Sequence, residues 1–144
     1  MTATLGTAMA ESVVQRMVPG GLETIVTVES HPAFGPVVGF GLGGAFADAI
    51  ADRPARSLPL TDLDAAELVA SSRAAGAIVD VGGDVAGVQE LLVRVGMLVD
   101  AVPEISAMRL NPVLVSPGGV WVLDARIHVA PAAPHPDAVP LRRL

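Results

Sequence analysis

The chain has 144 residues, 51% hydrophobic and 17% charged, which suits one globular domain with a single core and excludes a disordered chain. It contains neither cysteine nor lysine, which excludes disulfides, zinc–thiolate sites, thiol nucleophiles, a phosphate-loop lysine and Schiff-base chemistry. The formal net charge of −6, without a basic stripe, argues against nucleic acid, and the lack of a long apolar run or a leader-like N-terminus predicts a soluble cytoplasmic protein with no membrane partner.

The N-terminal part of the chain is expected to form short strands joined by turns. Two runs rich in Val and Ile are separated by Pro19-Gly20-Gly21, and the apolar run "VVGFG" follows a second turn. A short helix is expected to begin at Gly43-Gly44, and a proline-containing loop follows it. The predicted elements are strands at 12–18, 22–29 and 37–41, a helix at 44–52 and a loop reaching residue 60.

Two longer helices are expected in the middle of the chain. Asp64 lies three residues before Glu67, the spacing of a capping box with Asp64 as the cap, and this helix is expected to reach about Ala75. A second helix is expected to open near Asp84. Its apolar residues recur on one face at helical spacing, which predicts a core stripe. The stripe consists of Val88, Leu91, Leu92, Val95, Leu98, Val99 and Val102.

The C-terminal third is expected to form strands and then a tail. Strands are expected at 104–110 and 113–116, and a return strand at 120–129 follows the turn Pro117-Gly118-Gly119. Four prolines and little apolar content predict an extended tail at 130–144. The order of strands, helices and strands predicts an α+β domain with a largely antiparallel sheet.

The stretch "VVGFGLGGAF" contains the spacing G-x-G-x-x-G, formed by Gly39, Gly41 and Gly44. In a dinucleotide-binding β-α-β unit, such glycines precede a helix and then a second parallel strand. Here the glycine strand is the third in a series joined by short turns, and a second helix follows the first, which disfavours that interpretation. Two others stay open: a purely structural turn, and a close approach of the backbone to a phosphate at a helix N-terminus.

Three polar residues near the C-terminal strands are candidates for binding a cation and a phosphate. Asn111 and Asp124 flank the Gly turn, so a hairpin can bring an amide oxygen and a carboxylate close together. Such oxygen ligands suit Mg²⁺, which takes few protein ligands and completes its shell with water and substrate phosphates. Arg126, two residues beyond Asp124 on the same strand face, is a candidate phosphate contact. The alternative is a turn-forming Asn and a solvated Asp.

Together these segments resemble the C-terminal part of the ATP-grasp domain in NDP-forming acyl-CoA synthetases. That family includes the ADP-forming acetyl-CoA synthetases and is related to the succinyl-CoA synthetase β-subunit. The resemblance covers residues 12–129 and depends on F-G-P-V-V with the glycines after it, N-P-V-x-V and D-A-R-I, in this order. It implies an ATP-grasp C-terminal subdomain at 1–129, with packed helices on a largely antiparallel sheet, and a Pro-rich tail at 130–144.

The resemblance also implies roles for individual residues. Such enzymes bind Mg²⁺ and ATP or ADP between two α+β subdomains and form an acyl phosphate, usually through a phosphohistidine, before making the thioester with CoA. Asn111 and Asp124 match the family's Mg²⁺ ligands. Glu23 matches an acid on the nucleotide-facing sheet, and Gly43 and Gly44 match the family's Gly-Gly. Asp48 stands where the family usually has a Glu that faces the phosphates.

The chain departs from the family pattern at several points. Arg109 stands where the family has an acid two residues before the Asn, His31 replaces an Asp, and Val81 replaces an Arg. The N-terminal half of an ATP-grasp domain, which supplies the phosphate-binding lysine and much of the adenine pocket, does not match any part of this chain. Without a lysine, the chain cannot provide that contact itself.

Two functions of different class follow. The first is a part of an NDP-forming acyl-CoA synthetase that binds Mg²⁺ and phosphates, while a complementary subunit provides the rest of the ATP-grasp domain. The second is a non-catalytic ATP-grasp remnant that acts as an oligomerisation or regulatory module. An apolar face where the other subdomain would pack predicts a homo-oligomer or a partner chain in both cases.

Overall fold

A computed structural model of the chain describes residues 16–18, 20–31, 34–44 and 53–132. Within these residues, the fold is one antiparallel six-stranded sheet with three α-helices, as the α+β prediction requires. The strands are β1 (Leu22–His31), β2 (Gly35–Leu42), β3 (Ala55–Ser57), β4 (Ile105–Ser116), β5 (Gly119–Val122) and β6 (Ala125–Val129). The helices are α1 (Asp62–Ser71), α2 (Ala74–Asp80) and α3 (Val85–Ala101). None of these described helices is long and apolar enough to cross a membrane.

The long strand β4 organises the C-terminal side of the sheet. The strand order is β3-β2-β1-β4, and both β5 and β6 pair with the remaining edge of β4. β5 lies beside residues 113–116, and β6 lies beside residues 105–110. The strand that pairs with β4 therefore changes from β6 to β5 at Asn111 and Pro112. The peptide bond between these two residues is cis.

The register of the strands divides the side chains between two faces of the sheet. On one face, Val26 of β1 lies opposite Phe40 of β2 and Leu110 of β4, and all three belong to the main core. Each of the three helices also contributes to that core, through Leu68, Ile78 and Leu92. The helices therefore pack against this face, and burial of its branched side chains is the main source of stability.

The other side of the sheet is called the outer face here and is defined by Thr27, Glu29, Gly39 and Arg109. Thr27 lies opposite Gly39 and Arg109, one register position away from the core residues. Because successive side chains of a strand point to opposite sides, these residues face away from the three helices. Polar and small residues occupy this face, as is typical of a surface that meets solvent or a ligand rather than a core.

Helix α1 begins one turn earlier than the sequence predicts. Thr61, not Asp64, is the N-cap: the Asp64 N–H donates to Thr61 Oγ1 at 3.1 Å, and the Thr61 N–H donates to Asp64 Oδ2 at 2.9 Å. The Thr61 hydroxyl also donates to Asp64 Oδ2 at 2.6 Å, and this bond, together with that from the Thr61 N–H, holds the pKa of the Asp64 carboxyl below its ordinary value. The helix ends at Ser71 rather than near Ala75, because Ser72 leaves helical geometry and accepts the N–H of Ala74 at 3.0 Å.

The prediction of α3 is correct in its start and mostly correct in its buried face. Asp84 caps the helix, with its Oδ1 accepting the N–H of Gly87 at 2.9 Å. The stripe is wrong at its C-terminal end, where Leu98 and Val102 are exposed. The four stripe residues that are buried are Val88, Leu92, Val95 and Val99.

The remaining predicted elements have mixed outcomes. Residues 55–57 form β3 instead of a loop, because they pair with residues 37–39 of β2. The two strands expected at 104–116 are one strand, and the return strand is divided into β5 and β6. Residues 16–18 have no strand, and residues 12–15 lie outside the described residues, as does nearly all of the helix predicted at 44–52. The domain limits at 129 and 130 and the cytoplasmic location stay predictions.

Candidate functional site

The Gly43-Gly44 pair brings the end of β2 closer to β1 than side chains would permit. The Gly43 N–H donates to the Glu23 carbonyl at 2.9 Å, and a Cβ at this position would overlap the backbone of Thr24. Gly44 has a φ of 77°, and a Cβ there would overlap the Glu23 carboxylate. The glycines therefore place the Glu23 side chain directly beside the turn.

Asn111 holds this turn from the opposite side. The Gly44 N–H donates to Asn111 Oδ1 at 2.9 Å, and Asn111 Nδ2 donates to the Gly44 carbonyl at 3.5 Å. Sequence reasoning places Asn111 at a strand end, which is wrong: it lies within β4, at the irregular step where the partner strand changes. That irregularity interrupts the regular ladder and lets the amide reach residue 44, 67 positions earlier in the chain.

Asp124 is joined to the same place through the backbone. The Asn111 N–H donates to the Asp124 carbonyl at 3.1 Å, and the Leu123 N–H donates to the Pro112 carbonyl at 3.0 Å. These two bonds keep the chain attached to β4 between β5 and β6. The backbone of Asp124 therefore lies beside that of Asn111, and the elements that bring the two together differ from the simple hairpin that the sequence suggests.

Arg126 forms an ion pair with Asp124. Its Nε lies 3.5 Å from Asp124 Oδ2, and both side chains are more than half exposed. An exposed pair of this kind contributes about 0–1 kcal/mol to folding. The two side chains therefore remain available to a ligand at little energetic cost.

The structure thus connects most of the residues expected from the sequence. Asn111 contacts Gly44 through its side chain and Asp124 through its backbone, and Glu23 abuts Gly44. The residues of this set are Glu23, Gly43, Gly44, Asn111, Asp124 and Arg126. Asp48 lies outside the described residues.

The oxygen ligands at this place fit a magnesium ion whose coordination shell is completed mostly by water and phosphate oxygens. Asn111 Oδ1 accepts one hydrogen bond and retains a second lone pair, and the Asp124 carboxylate is accessible. Within the described ranges, no group of three or more His, Cys, Asp or Glu could hold a metal ion. Two oxygen ligands from different residues match the sparse protein coordination typical of Mg²⁺.

Sequence reasoning missed a groove on the outer face. The groove has a volume of about 270 Å³ and lies over β1, β2 and β3. Its lining residues are Thr27, Glu29, Val37, Gly39, Arg53 and Ala55. The alternation of polar Thr27 and Glu29 with buried valines in β1 was a readable signal for the first two, whereas nothing local in the sequence indicates that Arg53 lies beside them.

Comparison with known proteins agrees with the fold. Residues 2–129 match the ATP-grasp domain family. The chain is 37% identical over 118 residues to acetate–CoA ligase [ADP-forming] I of Archaeoglobus fulgidus, covering 79% of this chain and 17% of that protein. It is 34% identical over 119 residues to acetate–CoA ligase [ADP-forming] I subunit beta of Pyrococcus furiosus, covering 80% of this chain and 51% of that subunit.

A solved structure shows the same fold. The dinucleotide-forming acetyl-coenzyme A synthetase 1 of Candidatus Korarchaeum cryptofilum, in complex with coenzyme A and Mg-AMPPCP, matches with a TM-score of 0.75 and 34% identity. The match covers 79% of this chain and 55% of the solved chain. The described fold therefore corresponds to about half of that chain.

Proposed function

The chain belongs to the ATP-grasp domain family and resembles part of the ATP-grasp region of ADP-forming acyl-CoA ligases, and we propose that it contributes Mg²⁺ and nucleotide-phosphate binding to such a ligase. The nucleotide would be ATP or ADP, and the reaction an acid–thiol ligation. The chain spans about half of the beta subunit that it resembles, so the complete activity requires further polypeptide.

One observation supports the proposal most directly. Asn111 bridges Gly44 and Asp124, so one residue links the glycine turn to the acidic segment between β5 and β6. A purely structural turn needs no carboxylate at this place, whereas a metal–phosphate site needs oxygen ligands on a fixed backbone. Glu23 adds a second carboxylate next to the turn.

The residues of the candidate site have different roles in this proposal. Asn111 and Asp124 would hold Mg²⁺, which when bound neutralises charge on the transferring phosphoryl group. The N–H groups of both Gly43 and Gly44 already donate within the protein, so the glycines do not act as donors to a phosphate. Their contribution is positional, because they let Glu23 and the ligand-facing backbone lie close together.

Arg126 and Asp48 complete the proposed phosphate-facing set. Arg126 is exposed beside Asp124, and its guanidinium offers paired donors to phosphate oxygens. Asp48 is proposed on the family resemblance alone. A lysine contact would have to come from polypeptide outside this sequence, which contains no lysine.

Calorimetric titration of the chain with ADP, with and without Mg²⁺, tests the proposal. We expect Mg²⁺ to strengthen the weak binding of ADP and this gain to be lost in Asp124→Asn, which keeps the shape of the side chain and removes its charge. Asp100→Asn is the matched control, because Asp100 is an exposed acid on α3. Equal binding by wild type and Asp124→Asn, or no heat at millimolar nucleotide, would contradict the proposed site.

A second candidate function is a non-catalytic association module, and an apolar surface favours it. Ile127 and Val129 pair with the core residues Met108 and Ile105, so they lie on the helix side of the sheet. They are nevertheless 47% and 70% exposed. Apolar side chains that lie on the core side of a sheet and are nevertheless exposed are typical of a surface that packs against another chain.

Sedimentation velocity distinguishes the two functions. If the chain is an association module, we expect a concentration-dependent dimer that Ile127→Ser converts to a monomer, together with no nucleotide binding. If it is a nucleotide-binding part, Asp124→Asn removes the Mg²⁺-dependent gain in ADP binding whatever the state of association. A complementary chain that carries the rest of an ATP-grasp domain would cover the same apolar surface.

A further inference from the structure

Two arginines lie directly opposite each other beside the proposed metal site. Arg109 of β4 is the register partner of Arg126 of β6, and Arg109 also lies opposite Thr27, a lining residue of the groove. Directly opposed side chains in an antiparallel pair have Cβ atoms about 5 Å apart. Arg126 is also paired with Asp124, so two guanidiniums and one carboxylate lie together at this part of the sheet.

Several arginines lie on one side of the sheet, although the protein as a whole is negatively charged. The chain carries a formal charge of −6 and has nine basic residues. Arg109 and Arg126 share the outer face, and Arg53 lines the groove that continues from Thr27. Asp124 and Glu29 lie beside them and offset part of this positive charge.

We propose that Arg109 and Arg126 form a clamp that binds a phosphate group directly, without a metal ion, at the end of the outer-face groove. The ligand class is a diphosphate, either free or as part of a nucleotide. Two guanidiniums can each present a planar pair of donors to one phosphate, which is the strongest recognition that neutral-pH side chains offer this group. The groove, with about 270 Å³ beside Thr27, leaves room for the remainder of the ligand.

This inference rests on the proposed function in that it places a second phosphate contact beside the Asn111–Asp124 site. It differs in mechanism, because the clamp neutralises phosphate with fixed protein charge, whereas the proposed function uses Mg²⁺. Arg109 lies two residues before Asn111 on β4. It would place a positive charge at a position where an acidic residue would instead help to bind the metal. The two sites can therefore be separated by removing divalent cations.

Calorimetry in EDTA tests the clamp. The full chain is titrated with inorganic pyrophosphate, ADP and adenosine at low and moderate salt. We expect pyrophosphate and ADP to bind and adenosine not to bind, with affinity falling as salt increases. Arg109→Gln and Arg126→Gln should each weaken binding about tenfold, which is the loss of one charge-assisted hydrogen bond. Arg94→Gln, an exposed arginine paired with Glu90 on α3, should bind as wild type.

Three further variants test the charge and the geometry of the clamp. Glu29→Gln removes an acid from the groove and should tighten pyrophosphate binding, whereas Arg109→Glu should abolish it in EDTA. Arg109→Lys keeps the charge and loses the planar fork, so it should retain part of the affinity. Thermal melts of each variant confirm that it folds.

The outcomes separate this inference from the proposed function. Pyrophosphate binding that needs Arg109 but not Asp124 supports the clamp, and pyrophosphate binding without ADP binding assigns it to free diphosphate. Binding that appears only with Mg²⁺, needs Asp124 and is unchanged in Arg109→Gln overturns the clamp and leaves the proposed function in place. ADP binding without pyrophosphate binding also overturns it, since recognition would then depend on the nucleoside.

Discussion

Replacing Gly43 with alanine should be far more damaging than its small size suggests. The added Cβ would overlap the carbonyl group and Cα of Thr24, which are backbone atoms and cannot rotate away. The end of β2 must then move away from β1, and the hydrogen bond from the Gly43 N–H to the Glu23 carbonyl would break. The predicted effect is a local separation of the turn from the sheet.

The magnitude follows from these two losses. Forcing a methyl group into a closely packed site costs about 1–3 kcal/mol, and losing the hydrogen bond adds about 1 kcal/mol. The free energy of unfolding should therefore fall by about 2–4 kcal/mol in Gly43→Ala. At this chain length, that corresponds to a Tm lower by about 6–12 °C.

Gly20→Ala is the matched control. Neither Gly43 nor Gly20 has a positive φ, and a Cβ at Gly20 meets no atom within 4 Å. The control therefore measures the effect of an added methyl group without any clash, about 0.5 kcal/mol or less. Urea unfolding followed by circular dichroism measures both variants. If Gly43→Ala is no less stable than Gly20→Ala, the close approach of the turn to Thr24 does not constrain the fold and the argument fails.

Three other predictions concern the helices. Thr61→Ala removes the N-cap of α1 and should lower the free energy of unfolding by about 1 kcal/mol, measured by urea unfolding. The lowered pKa of Asp64 means that its ionised form contributes stability above its ordinary pKa of 3.8, and this contribution is lost as the pH falls through the folded-state value. The stability difference between wild type and Asp64→Asn should therefore be present at pH 6 and vanish in strong acid, and a difference that grows in acid would contradict it. Leu92→Ala should cost about 2–5 kcal/mol because Leu92 is fully buried, whereas Met97→Ala, on the same helix and 67% exposed, should change stability by about 0.5 kcal/mol or less.

The sequence predicts elements well where a local signal determines the structure. The run rich in Val and Ile in β1, the apolar run of β2 and the cap and stripe of α3 each follow from neighbouring residues alone. The stripe fails at Leu98 and Val102, because helical spacing identifies a face but not how far the sheet beneath it extends. The cap of α1 was misplaced because Thr61 and Asp64 satisfy the same capping pattern as Asp64 and Glu67, and only the geometry selects between them.

The candidate site shows a different limit. The residue types Asn111 and Asp124 indicate oxygen ligands, but their connection depends on the exchange of β5 for β6 along β4, which no local pattern in the sequence encodes. The contact between Asn111 and Gly44 joins residues 67 positions apart. The opposed arginines depend in the same way on strand register, since Arg109 and Arg126 are ordinary polar strand residues until the pairing is known.

The internal hydrogen bonding of the site bears on how strongly the isolated chain should bind. The N–H groups of Gly43 and Gly44 are already engaged within the protein, so the proposed ligand contacts reduce to the second lone pair of Asn111 Oδ1, Glu23, Asp124 and the arginines. A few exposed charged contacts support an affinity near the millimolar range, about 4 kcal/mol. A complementary chain would supply the lysine and the base-binding surface. Because the ligand would already be bound to one part, contacts with the second part would form at a high effective concentration and strengthen the total affinity. Weak Mg·ADP binding by this chain, strengthened by orders of magnitude when the complementary part is added, is therefore the expected behaviour of half of a nucleotide site. Binding that stays weak after that addition would favour the association module.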